Sequence, residues 1–128
     1  MNIEEIKKDA KLLKFSRGQK IYEDKSYLSD IKIFYILKGE VILRKKYTPI
    51  VKEEFHLKEG DWFGIIELYN SKIRITDAEA LTDVELLGFD KITFERILVS
   101  NINVSLKVIR MLSQILRKAN ERIKSLPE

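Results

Sequence analysis

Seven short β-type runs follow one another between residues 12 and 89, and each is closed by a glycine, a proline or a cluster of polar residues. They cover residues 12–15, 19–22, 31–37, 40–46, 53–57, 73–80 and 84–89. Helices do not alternate with them, which argues against a parallel α/β arrangement. Strands this short must pair with one another to satisfy their backbones. The expected fold is therefore mainly β with flanking helices, an antiparallel jelly roll (double-stranded β-helix). Phe34-Tyr35-Ile36-Leu37 and Val41-Ile42-Leu43 flank Lys38-Gly39, which reads as a hairpin. Thr48-Pro49 marks a second turn, because proline cannot continue a central ladder.

Helical spacing appears only at the two ends. Ile3, Ile6, Ala10 and Leu13 predict a short leading helix over 2–13. Asp90 is a good N-cap for a helix over 91–99, whose apolar residues are Ile92, Phe94, Ile97 and Leu98. Asn101 or Asn103 can cap a longer one that runs to about residue 125 and stops before Pro127. In that helix Ile109, Leu112, Leu116, Ala119, Ile123 and Leu126 step by 3, 4, 3, 4 and 3. This is the seam of a parallel coiled coil, so a homodimer is expected. Val104, Val108, Met111 and Ile115 form a second stripe suited to packing on the barrel. One wide core-facing stripe is the plainer alternative. The expected organisation is one domain: residues 1–102 form the barrel with its short helices, and residues 103–126 the dimerisation helix.

Composition narrows the function classes. Apolar residues make up 45% and charged residues 34% of the 128, which suits a folded domain with one core. No apolar run approaches membrane-spanning length, no secretory signal opens the chain, and cysteine is absent, which fits the cytoplasm. The net charge of +4 lies wholly beyond residue 102, where six basic residues meet two acidic ones. Arg110, Arg117 and Lys124 recur every seven residues, as a solvated stripe or a nucleic-acid contact. His56 is the sole histidine, alternates with Phe55 and Leu57, and should face solvent. A metal-dependent jelly-roll enzyme needs several histidines and carboxylates, and nucleophilic triads need a convergent base; neither set is present. The chain is not expected to be an enzyme, and neither a metal nor a cofactor is expected.

The stretch Gly60-Asp61-Trp62-Phe63-Gly64-Ile65-Ile66-Glu67-Leu68, followed by Ile73-Arg74-Ile75-Thr76-Asp77-Ala78, carries the chemistry. A glycine turn, an apolar helical turn and an arginine entering a strand make an anion cradle. Backbone N–H groups and a guanidinium both favour phosphate oxygens. The order resembles the phosphate-binding cassette of cyclic-nucleotide-binding domains in Crp/Fnr-type regulators, which reads Phe-Gly-Glu-Leu/Ile-Ala-Leu, a loop, then Pro-Arg-Ser/Ala-Ala. Phe63-Gly64 and Arg74 match that pattern. Phe15-Ser16-Arg17-Gly18-Gln19-Lys20-Ile21-Tyr22-Glu23 is similar to the family's opening strand pair, and Phe34 to Val41 to its hairpin.

The resemblance implies that Gly64, Ile65, Ile66, Arg74, Ile75 and Thr76 line a cassette-like site, with Asn120 of the long helix near a bound base. It places Ile65 where the family's ribose-binding glutamate stands, and Ile75 where a small or hydroxyl residue follows the arginine. Glu67, two positions after Ile65, is expected to point elsewhere. The alternative for Arg74 is a surface ion pair with Glu67 or Asp77. The implied function is a ligand-sensing, dimerising regulatory domain in transcriptional control, taking a small anionic or nucleotide effector and binding cyclic AMP weakly. A ligand-free dimerisation or protein-interaction module is the alternative. The family's helix-turn-helix domain would follow Leu126-Pro127-Glu128, so the chain reads either as short in its own right or as the effector half of a longer regulator. Sequence-specific DNA binding is not expected of it alone, nor is any membrane association.

Overall fold

The computed structural model describes residues 3–124. Its elements run α1 (Ile3–Lys7), β1 (Lys11–Phe15), β2 (Lys20–Tyr22), β3 (Ile33–Lys38), β4 (Val41–Lys46), β5 (Lys52–Leu57), β6 (Trp62–Phe63), α2 (Glu67–Asn70), β7 (Asp77–Ala80), β8 (Val84–Phe89), α3 (Lys91–Ser100) and α4 (Ile102–Lys124). The chain divides into two compact units, one ending at Phe94 and the other beginning at Glu95. None of the described helices is long and apolar enough to cross a membrane.

The first unit holds two four-stranded sheets, ordered β1-β8-β3-β6 and β2-β7-β4-β5. Every pairing in them is antiparallel. The mainly β, antiparallel class with flanking helices is thus the observed one. Between the sheets lie Phe34, Ile36, Phe63, Val84 and Leu86 from the first and Val41, Ala78 and Ala80 from the second. The Phe34 and Phe63 rings stack at 5.0 Å, and Tyr22 leans on both. Strand β3 is buried on both faces through Ile33–Ile36, so its pattern is continuous rather than alternating. On its other face Tyr35 meets Trp62, which also packs on Phe89 and Phe94.

Three local expectations need correction. β3 and β4 flank Gly39 but lie in different sheets, so they are not a hairpin. The backbone around that turn bonds to the 81–83 loop instead: Glu40 N–H donates to Thr82 Oγ1 at 3.0 Å, and Leu81 N–H to the Glu40 carbonyl at 2.9 Å. The true hairpin is β4–β5, closed at Thr48-Pro49 by Tyr47 N–H donating to the Val51 carbonyl at 2.9 Å. The leading helix stops at Lys7, because Leu12 and Leu13 are claimed by the β1–β8 ladder. Strand β6, only two residues long, has no sequence signature of its own and falls inside the cassette motif.

Helix α3 begins at the expected cap, with Thr93 N–H donating to Asp90 Oδ1 at 2.8 Å. In the second unit Asn101, not Asn103, caps α4: its Oδ1 accepts Val104 N–H at 3.3 Å. Along α4, Val104 and Val108 are buried and Met111 and Ile115 half-buried. Of the seam, Ile109 and Leu116 are exposed and Leu112 is half-buried. Ala119 and Ile123 lie in the helix, and Leu126 lies outside the described residues.

Candidate anion-binding site

Gly64 follows β6 in a conformation open chiefly to glycine, with φ of +86°. A Cβ there would stand 2.6 Å from the Lys32 carbonyl oxygen and 3.0 Å from Arg74 Nη1. The missing side chain is the space into which the guanidinium fits. Ile65 and Ile66 then lead into α2, a single turn beginning at Glu67.

Arg74 is fixed at both its backbone and its tip. Its N–H donates to the Ser26 carbonyl and its own carbonyl accepts Lys25 N–H, both at 2.8 Å. Ile73 bridges to Tyr27 next to it. Strand β7 starts only at Asp77, so Arg74 sits in the loop before the strand rather than entering it. The side chain is 2% exposed. Nη2 donates to the Lys32 carbonyl at 2.9 Å and Nη1 to the Gly64 carbonyl at 3.4 Å. The guanidinium carbon lies 4.1 Å from the Tyr22 ring centre and 5.6 Å from that of Phe34, a cation–π stack.

Glu67 supplies the counter-charge. It is 3% exposed, and its Oε1 lies 3.9 Å from Arg74 Nη1. The same oxygen accepts Ile75 N–H at 3.4 Å. Burial lowers the Arg74 pKa, while Tyr22 and Glu67 oppose that shift. Burial chiefly, and then the Glu67 charge, raise the Tyr22 hydroxyl well above its usual range; Arg74 and a hydrogen bond with Thr76 act the other way.

The family model described as cyclic nucleotide-binding domain matches residues 12–101. The chain belongs to the cyclic nucleotide-binding domain family. A catabolite activator protein from Thermus thermophilus shares its fold with a TM-score of 0.77 at 18% identity, over 95% of this chain and 57% of that one. A transcriptional regulator from Thermotoga maritima gives a TM-score of 0.76 at 15% identity, over 96% of this chain and 95% of that one. The cAMP-bound PfPKA-R is 33% identical over 70% of this chain and 31% of its own, with a TM-score of 0.60. The chain thus spans little more than half of the Thermus protein. No curated protein sequence matches it.

Of the residues expected at the cassette of this cyclic nucleotide-binding domain, Gly64 and Arg74 touch directly. Thr76 is half-buried and reaches Tyr22. Ile75 joins through its N–H, whereas its side chain is partly exposed, as is that of Ile66. Ile65 is buried. Asn120 is exposed on α4, in the second unit. The expected pairing of Arg74 with Glu67 or Asp77 resolves to Glu67, and the pair is buried rather than on the surface. Asp77 instead accepts Asp24 N–H at 2.8 Å and lies 3.8 Å from Lys20 Nζ.

Glu67 therefore does not point elsewhere, as position alone suggested. Its signal was present: the pattern that the sequence resembles carries alanine at this place, and here an acidic residue stands two positions after Ile65. Tyr22, Phe34 and Lys32 had no such signal. They reach Arg74 from 40 or more residues away, through strand pairing that only the fold defines.

Proposed function

We propose that this chain is a dimerising regulatory domain of a Crp/Fnr-type transcriptional regulator, built as a jelly roll, whose altered cassette takes cyclic AMP weakly or not at all. The strand orders β1-β8-β3-β6 and β2-β7-β4-β5 support the jelly roll. Likeness to bacterial regulators supports the setting. The heptad spacing of Ile109, Leu112, Leu116, Ala119, Ile123 and Leu126 supports the dimer.

One observation carries the reading of the site: the residue that would grip phosphate is already surrounded by a carboxylate, two carbonyls and an aromatic face. Ile65 adds to this, since a ribose hydroxyl facing it finds no acceptor. Leaving such a group unpaired costs about 1–3 kcal/mol, roughly a ten- to hundredfold loss of affinity. Calorimetric titration with cyclic AMP, alongside a thermal-shift screen of cyclic mono- and dinucleotides, tests the reading. Weak or absent cyclic AMP binding is expected. Tight binding that Arg74→Ala abolishes would overturn it.

The burial of Arg74 among these groups also favours a second reading, a ligand-free dimerisation or protein-interaction module of the same fold. Native mass spectrometry of the purified protein separates the two: a retained small anion supports the sensor, and a bare dimer the module.

A further inference from the structure

Two N–H donors of the cassette converge on a single protein atom. Arg74 Nη1 and the Ile75 N–H both address Glu67 Oε1, at 3.9 and 3.4 Å. Both charged side chains are buried, being 2% and 3% exposed. A phosphate oxygen placed between the same two donors would compete with Glu67 Oε1 for them. It would also bring negative charge against a buried carboxylate, and like charges in a poorly solvated site are strongly disfavoured.

Resting on the reading of Arg74 as the cassette's anion residue, we infer that Glu67 is a built-in occupant of that site. Its carboxylate stands where a phosphate oxygen would, and it is the specificity-determining residue that shuts out cyclic nucleotides and other phosphate-bearing anions. Ile65 is the secondary obstacle: it withholds a ribose contact, whereas Glu67 fills the anion position itself.

The two obstacles make opposite forecasts for single substitutions. If the missing ribose acceptor were decisive, Ile65→Glu alone would restore cyclic AMP binding. With Glu67 in place it restores nothing, because it adds a second negative charge near the first. Glu67→Gln keeps the side chain's volume and an oxygen for the Ile75 N–H while removing the charge. It removes the charge that would repel an external anion at Arg74, while the bonds to the Gly64 and Lys32 carbonyls stay.

The experiment titrates the unmodified protein, Glu67→Gln, Ile65→Glu, the Ile65→Glu/Glu67→Gln pair and the Glu67→Gln/Arg74→Gln pair with cyclic AMP and, separately, with inorganic phosphate. Ionic strength is held constant with chloride. Glu67→Gln should bind both anions about tenfold or more tightly than the unmodified protein, and the gain should vanish with Arg74→Gln. Adding Ile65→Glu should improve cyclic AMP binding further and leave inorganic phosphate unchanged, since only the nucleotide has a ribose. If Glu67→Gln melts too low for titration, the rise of its melting temperature with added phosphate, absent from the Arg74→Gln pair, reads the same event. A folded Glu67→Gln protein that binds no better than the unmodified one overturns the inference, as does cyclic AMP binding restored by Ile65→Glu alone. Tight cyclic AMP binding by the unmodified protein is a different outcome and overturns the functional reading beneath it as well.

Discussion

The indole N–H of Trp62 has no hydrogen-bond partner among the described residues, although the ring is fully buried against Tyr35, Phe89 and Phe94. An unpaired buried donor costs about 1–3 kcal/mol. Trp62→Phe removes that donor and keeps an aromatic ring, so the lost burial and the relieved penalty offset each other. Its stability in urea unfolding should lie within about 1 kcal/mol of the unmodified protein, whereas Trp62→Ala should lose about 3–5 kcal/mol. A loss for phenylalanine as large as for alanine would mean that the indole N–H is bonded after all. Tyr22 gives a prediction of a different kind. Its hydroxyl holds its proton more tightly in the folded state than in the unfolded chain, which releases that proton near pH 10. The unfolded state then binds fewer protons, and stability falls as pH climbs past about 10. Tyr22→Phe should flatten that alkaline loss, measured as melting temperature against pH for the two proteins. An unchanged slope would assign the loss to other groups. At this scale the site was half legible from sequence: Arg74 and Gly64 follow from their motif. Their partners Tyr22, Phe34 and Lys32 depend on strand pairing, which no local pattern encodes.

Among the elements, the longer strands declare themselves through apolar and β-branched runs bounded by turn residues. That pattern survives in the structure for β1 to β5 and β8, whereas of the expected run 73–80 only Asp77–Ala80 is strand, and β6 has no counterpart in it. A two-residue strand has no period to read. Partner choice is harder than strand existence, as β3 and β4 illustrate. A tight glycine turn serves equally to close a hairpin or to step between sheets, and the nearby 81–83 loop decides in favour of the step. Helix α4 bears the prediction that belongs here. Ile102, Ile109 and Leu116 recur every seven residues and are exposed among the described residues. Leu116→Asp would place a charge in the middle of a coiled-coil seam, where burial without a partner is costly. Light scattering should show the unmodified protein as a dimer at tens of micromolar and the aspartate variant as a monomer. An unmodified monomer would end the coiled-coil reading.

For the whole molecule, a dimer stabilised by mass action should melt at a higher temperature as protein concentration rises. Any DNA contact by the exposed Arg110 and Arg117 of α4 should be indifferent to sequence and weaken as salt increases. A gel-shift assay at physiological salt, with specific and scrambled competitors, should show no retention that survives the scrambled one. Surviving retention would mean that some part of the chain reads bases. Arg74 also acts at this scale. Lys32 and Gly64 adjoin strands of one sheet and Tyr22 belongs to the other, so one guanidinium braces the sandwich across its interior. Natural selection on folding alone would then preserve this arginine after a ligand had been given up. Domains that still bind and domains that have stopped binding would carry the same arginine signature, and a survey that counts arginines would enrol both as receptors. If Glu67 fills the anion position as inferred above, the letter to read beside the arginine is the one at position 67.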